Sequence, residues 1–195
     1  MKRRISHRLM LLVAGVFIFS GIGAAAEFTA DMIQTGPKVD YKGKLYVKGD
    51  KIRQEITKGR KQIVIERPDL KLVWSIYPEE KIYMKVTDAI IRGIDDPRAR
   101  ERFKQIGKEQ PAGNQTINGY ACTKRSWKLV DGKIRKTLTE WTSAKLGRIL
   151  KIQLQEVASK WVIEYKNIKV EEVSDSVFEL PTGYKLVVPP PAPAG

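Results

Sequence analysis

The sequence predicts a mainly β chain of the α+β class, with one large, curved antiparallel sheet wrapped around one or two short helices. Three observations predict it. Between residues 27 and 188, stretches of alternating apolar and polar residues recur and close on Gly, Pro, Asn or Asp turns, the pattern of antiparallel strands at roughly ten-residue spacing. One segment midway changes to helical spacing. The count comes to about ten strands, and a flat sheet that wide tends to curl.

The first strand is "EFTADMIQT", with Phe28, Ala30 and Met32 on one side. "GKLYVKGDKIRQEI" (43–56) follows as a hairpin turning at Gly49-Asp50, with Leu45, Val47, Ile52 and Ile56 set between Lys44, Lys48, Lys51, Arg53 and Glu55. Its apolar side is expected to face the core and its charged side water, which also discourages edge-to-edge association. Lys61–Arg67 and Leu70–Tyr77 read as strands bounded by turn residues, and Lys81–Val86 follows the Pro78-Glu79-Glu80 turn. Leu70, Leu72, Trp74 and Ile76 share one face of their strand; Ile82, Met84 and Val86 share one face of theirs.

Residues 87–93 suit one or two helical turns. In "DDPRARERFKQIG" (95–107), Asp96 suits the cap, Pro97 the first position and Gly107 the exit. Ala99, Phe103 and Ile106 fall on one helical face, while Arg98, Arg100, Arg102 and Lys104 largely face elsewhere. A helix this short needs an apolar bed, and the apolar face of the preceding strands is the expected one. Residues 107–120 read as loop. Strands resume at Tyr120–Val130 and Lys133–Trp141, joined at Asp131-Gly132. They continue at Arg148–Val157 and Ser159–Val173, and "SVFELPTGYKLVVP" closes the pattern. The Pro-rich residues 189–195 read as an extended end. No repeat of 20–50 residues is present.

The beginning of the chain is of another kind. "MKRRISHR" precedes the 15-residue apolar run "LMLLVAGVFIFSGIG" and then Ala24-Ala25-Ala26. This is the order of a secretory signal peptide, and the run is short of the ~20 residues of a membrane span. The expected organisation is a signal peptide at 1–26 cleaved after Ala26, a domain at 27–188 and a tail at 189–195, with the product periplasmic. No lipobox cysteine follows the apolar run.

The single histidine, His7, lies in that leader, so residues 27–195 have none. That argues against His-activated nucleophiles and His-rich zinc sites. Nothing points to a catalytic residue, a metal or a cofactor. The lone Cys122 offers no internal disulfide and reads as a small buried hydrophobe. Of the net charge of +14, four positive charges lie in the leader; the remainder is spread along the chain. Such interleaving suits a solvated sheet face and favours anionic surfaces. Nucleic acid is not an expected partner of an exported protein.

The pair "GKLYVKGDKIRQEI" and "ERPDLKLVWSIYPEEKIYMKV", followed late by "VFELPTGYKLV", resembles the superfamily of periplasmic lipoprotein-sorting proteins. This superfamily includes the LolA and LolB carriers, the RseB sensor domain and several uncharacterised exported domains; the chain is most similar to the last. The shared order is an export signal, an aromatic and a Pro turn (Trp74, Pro78), midway helices, and a closing Phe-x-x-Pro-x-Gly-Tyr (Phe178, Pro181, Gly183, Tyr184). The lipobox cysteine of the LolB receptor is absent, and no residue is matched to the gating arginine of the LolA carrier. The resemblance implies an unclosed half-barrel whose concave apolar face holds acyl chains or covering helices.

Under that resemblance, Leu72, Trp74, Ile76, Ile82, Met84 and Val86 are the candidate cavity residues; otherwise they are core. Ala99, Phe103 and Ile106 are the candidate plug of that cavity; otherwise they are fixed packing. Trp127, Trp141 and Trp161 suit acyl or partner contacts, or ordinary sheet packing. Arg98, Arg100, Arg102 and Lys104 suit lipid phosphates, or a solvated helix face. Glu79-Glu80, Glu171-Glu172 and the sequon at Asn114 carry no further assignment. The expected function is an exported, monomeric, non-enzymatic binding protein that shields a lipid or an acylated protein, with an anionic membrane surface or an envelope protein as further partners. The alternative is an envelope sensor or interaction module with a self-filled core.

Overall fold

The computed structural model describes residues 27–37, 39–58, 61–85 and 97–188. The expectations for the leader, for Val86, for the helical turns at 87–93, for the Asp96 cap and for the tail at 189–195 lie outside the described residues. The elements are β1 (Phe28–Gly36), β2 (Val39–Lys48), β3 (Lys51–Ile56), β4 (Gln62–Arg67), β5 (Leu72–Tyr77), β6 (Ile82–Lys85), α1 (Pro97–Ile106), β7 (Lys108–Ile117), β8 (Tyr120–Asp131), β9 (Ile134–Ser143), β10 (Arg148–Gln155), β11 (Lys160–Val170) and β12 (Lys185–Leu186).

The twelve strands of the described residues form one sheet in the order β12-β6-β5-β4-β3-β2-β1-β11-β10-β9-β8-β7. The two ends of the order do not pair, so the sheet is unclosed. Two meanders, β1–β6 and β7–β11, are zipped together by β1 against β11. The chain leaving β6 must therefore cross the width of the sheet to begin β7 at the opposite edge, and α1 lies on that passage.

Registers assign the faces, because directly opposed residues share one face. One row runs Thr29–Tyr46–Arg53–Ile65–Trp74–Lys85 across six strands. The adjacent row, Ala30–Leu45–Gln54–Val64–Ser75–Met84, is on the other face. Phe28, Ala30, Leu45, Val47 and Leu150 are buried together on this second side. Trp127, Leu138 and Ile152 form a smaller group, with Phe103 of α1 packed on it.

Three expectations need correction. Residues 108–117 are not loop but the edge strand β7, paired with β8. Pro111 is tolerated there because the register shifts between Gln110 and Gly113, at an edge. The helix does not lie on the first meander; it packs on β8–β10 of the second. There Trp127 opposes Leu138, and Leu138 opposes Leu154, in one apolar row.

The third correction concerns the charged face of the first hairpin, where Lys48, Lys51 and Arg53 are covered and Lys44 alone of its lysines stays exposed. The chain after β11 crosses it as a strap and buries Val173 and Phe178 against Ile65, Trp74 and Ile76. Lys48 Nζ donates to the Val173 carbonyl at 3.0 Å, and Lys51 Nζ to Asp175 at 2.8 Å. Arg53 donates to the Val177 carbonyl at 2.9 Å. Arg67, 7% exposed, donates to the Phe178 carbonyl at 3.4 Å and pairs with Asp69 and Glu179. These pairs hold the Arg67 guanidinium above its ordinary pKa against the opposing effect of burial. The strap ends as β12, parallel to β6. A bare strap would leave its carbonyls unpaired beneath its own side chains; the cations satisfy them.

Candidate ligand cavity

The second face of the sheet curls around a cavity of about 320 Å³. Its lining comes from β1–β4 on one side and β9–β11 on the other, with Arg100 of α1 above. Side chains from opposite halves of the sheet can share one cavity because the sheet is concave there. The volume stands near the lower end of the ~300–1,000 Å³ typical of small-ligand pockets. The wall is mainly apolar, built from Phe28, Val47, Ile52, Ile152 and Ile163; Gln54, Glu66, Arg100 and Arg148 supply its polar points. Arg148 donates to the Gly49 carbonyl, which ties the start of β10 to the β2–β3 turn.

The helix over this cavity is held by charge as much as by apolar contact. Glu140 on β9 is 4% exposed. It accepts from Arg100 Nε at 3.0 Å and from Lys104 Nζ at 2.9 Å. Arg100, Phe103 and Lys104 stand at i, i+3 and i+4, so they share one helical face. Burial pulls the Lys104 ammonium down, but hydrogen bonds to Glu101 and Glu140 outweigh it and its pKa is raised. Lys104 also lies 5.0 Å from the Trp127 ring centroid, and Arg125 lies 5.3 Å from it. Trp127, Glu140 and Lys104 border a second, more polar cavity of about 510 Å³ that shares Thr142 and Ile149 with the first.

The candidate residues divide. Leu72, Trp74 and Ile76 lie on the strap-covered face: Trp74 and Ile76 are buried under Phe178, with Leu72 packed beside them. Antiparallel pairing of Tyr77 with Ile82 and Ser75 with Met84 puts Ile82 and Met84 on the opposite face. None of these five lines the cavity. Phe103 of the candidate plug points into the sheet, whereas Ile106 is 67% exposed. The side chain of Ala99 lies outside the described residues. Arg100 and Lys104 turn neither to solvent nor outward as a phosphate site; they serve Glu140. Arg102 is exposed.

Trp141 is buried, donates to Gln115 Oε1 at 2.8 Å and lies between Lys124 and Lys151. Trp161 packs over Gly36. Cys122 is buried and free, and burial pushes its thiol up. Glu140 escaped the sequence reading, since a glutamate within "LTEW" gives no local sign of burial. The one available cue was Arg100 and Lys104 at helical spacing.

No curated protein matches the sequence. Among solved structures, a chain of the Pseudomonas aeruginosa MucA/MucB complex superposes with a TM-score of 0.55 at 12% identity, covering 84% of this chain and 59% of that one. A second structure, of MucB bound to the MucA periplasmic part, gives 0.54 at 11% identity, covering 85% and 58%. The lipoprotein LppX of Mycobacterium tuberculosis gives 0.45 at 12% identity, covering 78% and 90%. The chain thus spans about three-fifths of the MucA/MucB chain it matches. At such identities the likeness concerns the fold alone, a large unclosed sheet with one helix among the described residues. One family model matches residues 28–149, from the first residue of β1 to the second of β10, and by this match the chain belongs to the family described as a domain of unknown function, DUF4412.

Proposed function

We propose that this chain is an exported, non-enzymatic binding protein that holds a hydrophobic ligand, a lipid or the acyl group of a lipidated protein, in the half-barrel cavity. The observation that carries the reading is the open, mainly apolar cavity lined by Phe28, Val47, Ile52, Ile152 and Ile163. Shielding is the mechanism: each buried CH₂ contributes about 0.8 kcal/mol. Phe103 acts as the plug, displaced as a chain enters, while the Glu140 pairs keep α1 attached. The leader at residues 1–26 delivers the protein to the envelope.

Phe103 packed on Trp127, Leu138 and Ile152 also favours the second reading, a sensor or interaction module whose own helix fills the concavity. The test is to purify the chain from the envelope under native conditions and analyse its organic extract by mass spectrometry. The ligand-binding reading expects stoichiometric lipid or acylated peptide, lost in Ile52→Lys and in the uncharged, space-filling Ile52→Trp while the fold persists. A folded protein that carries nothing and takes up no fluorescent fatty acid overturns that reading and leaves the module.

A further inference from the structure

Away from the cavity, solvent-exposed apolar side chains gather at one end of the sheet. Beside the β8–β9 turn, Val130 (56%) near the end of β8 and Ile134 (48%) at the start of β9 are exposed on opposite faces of the hairpin, and the β10–β11 turn exposes Val157 (75%). The two turns are neighbours: Gln155 pairs with Thr137, and Lys136 Nζ lies 2.7 Å from Glu156 Oε1. Ile106 ends α1 beside them, just before the paired Lys108 and Lys128. Exposed Lys108, Lys128, Lys133, Arg135 and Lys160 surround these apolar tips. Among the described residues none of these five side chains forms an ion pair. Of the acids nearby, Glu109 is engaged by Arg125, and Glu156 by Lys136 and Ser159, which hold its carboxyl below the usual range; Asp131 is exposed.

We propose that this end of the sheet is a docking tip for an anionic lipid bilayer, with Val130, Ile134 and Val157 entering the interface and the surrounding cations meeting lipid phosphates. A bilayer suits the tip better than a protein does. A stable protein interface needs about 800 Å² per partner and a close-packed core from which Lys is depleted. Here separate turn tips each carry one or two β-branched side chains in a Lys-rich ring. A fluid surface conforms to such tips, and cations beside buried apolar side chains are the pattern of interfacial anchoring. The tip is distinct from the cavity, so it stands or falls separately from the ligand reading.

The test is sedimentation of the processed chain with vesicles of phosphatidylcholine alone or mixed with phosphatidylglycerol. The expected result is binding to the mixed vesicles alone. The triple change Val130→Ser, Ile134→Ser, Val157→Ser should abolish it with the melting temperature unchanged, because these side chains are exposed. Lys133→Gln and Arg135→Gln should each weaken it about fivefold. Ile52→Lys should leave it intact. Absence of vesicle binding overturns the proposal, including a chain that instead binds an acidic polypeptide. So does binding that survives the triple change, which marks adsorption by net charge alone.

Discussion

Lys104 Nζ lies 2.9 Å from Glu140 Oε2, where the carboxylate side chain is 5% exposed and the ammonium side chain 20%. The second carboxylate oxygen is taken by Arg100. One buried acid on β9 thus anchors two cations of α1, on the same helical face as Phe103.

Removing that acid should loosen the helix. Glu140→Gln removes the buried charge that Arg100 and Lys104 share, and the expected loss is about 3 kcal/mol, the lower part of the range for a broken buried pair because Lys104 keeps Glu101. Glu101→Gln, at an exposed side chain, should cost under about 1 kcal/mol. Denaturant unfolding checks both values. Equal effects would mean that Glu140 does not anchor α1.

The strap should behave as part of the domain. Phe178 is fully buried against Ile65, Trp74 and Ile76, so Phe178→Ala should cost about 3–5 kcal/mol. Arg67→Met removes the partner of Asp69, Glu179 and the Phe178 carbonyl together. Amide exchange over residues 173–188 should then accelerate while that of β8–β10 stays slow.

Acid should weaken the fold. Burial alone would raise the Glu164 carboxyl, but hydrogen bonds from Asn118 and Lys151 outweigh it and hold it below its ordinary value. Asp31 is held low by Lys44 and Asn167. For both, the native state binds fewer protons than the unfolded chain near and below the unfolded pKa of about 4. Their contribution is complete above that pH and is lost as pH falls through the depressed native values. Stability is therefore expected to fall below about pH 4, and less steeply in Glu164→Gln. Urea titrations at stepped pH test the slope; an unchanged slope would remove Glu164 from the account.

Two glycines mark close approaches. A Cβ at Gly43 would lie 2.0 Å from the Glu55 carbonyl oxygen, and one at Gly36 would lie 2.3 Å from the Trp161 ring. Gly43→Ala has to move backbone, so it is expected to cost at least about 1–3 kcal/mol. Gly36→Ala has to displace the Trp161 ring and should shift its fluorescence. Thermal melts and emission spectra distinguish the two.

The sequence by itself determined the strand alternation, the turns at Gly49-Asp50 and Asp131-Gly132, the helix around Phe103 and the curved, mainly β class. All of these are local: period-two and period-3.6 spacing and turn chemistry act within a few residues. Tertiary structure decided which face each strand presents and what covers it. Trp74 and Met84 look alike in an alternating sequence, yet the β5–β6 register sends them to opposite faces. The charges of Lys48, Lys51 and Arg53 read as solvent-facing, but a strap over 100 residues later in sequence supplies the carbonyls and carboxylate that make their covering favourable. Glu140, Arg100 and Lys104 follow the same rule. A charge can leave water when distant partners meet it, and which partners do so is set by the fold rather than by neighbours in the chain.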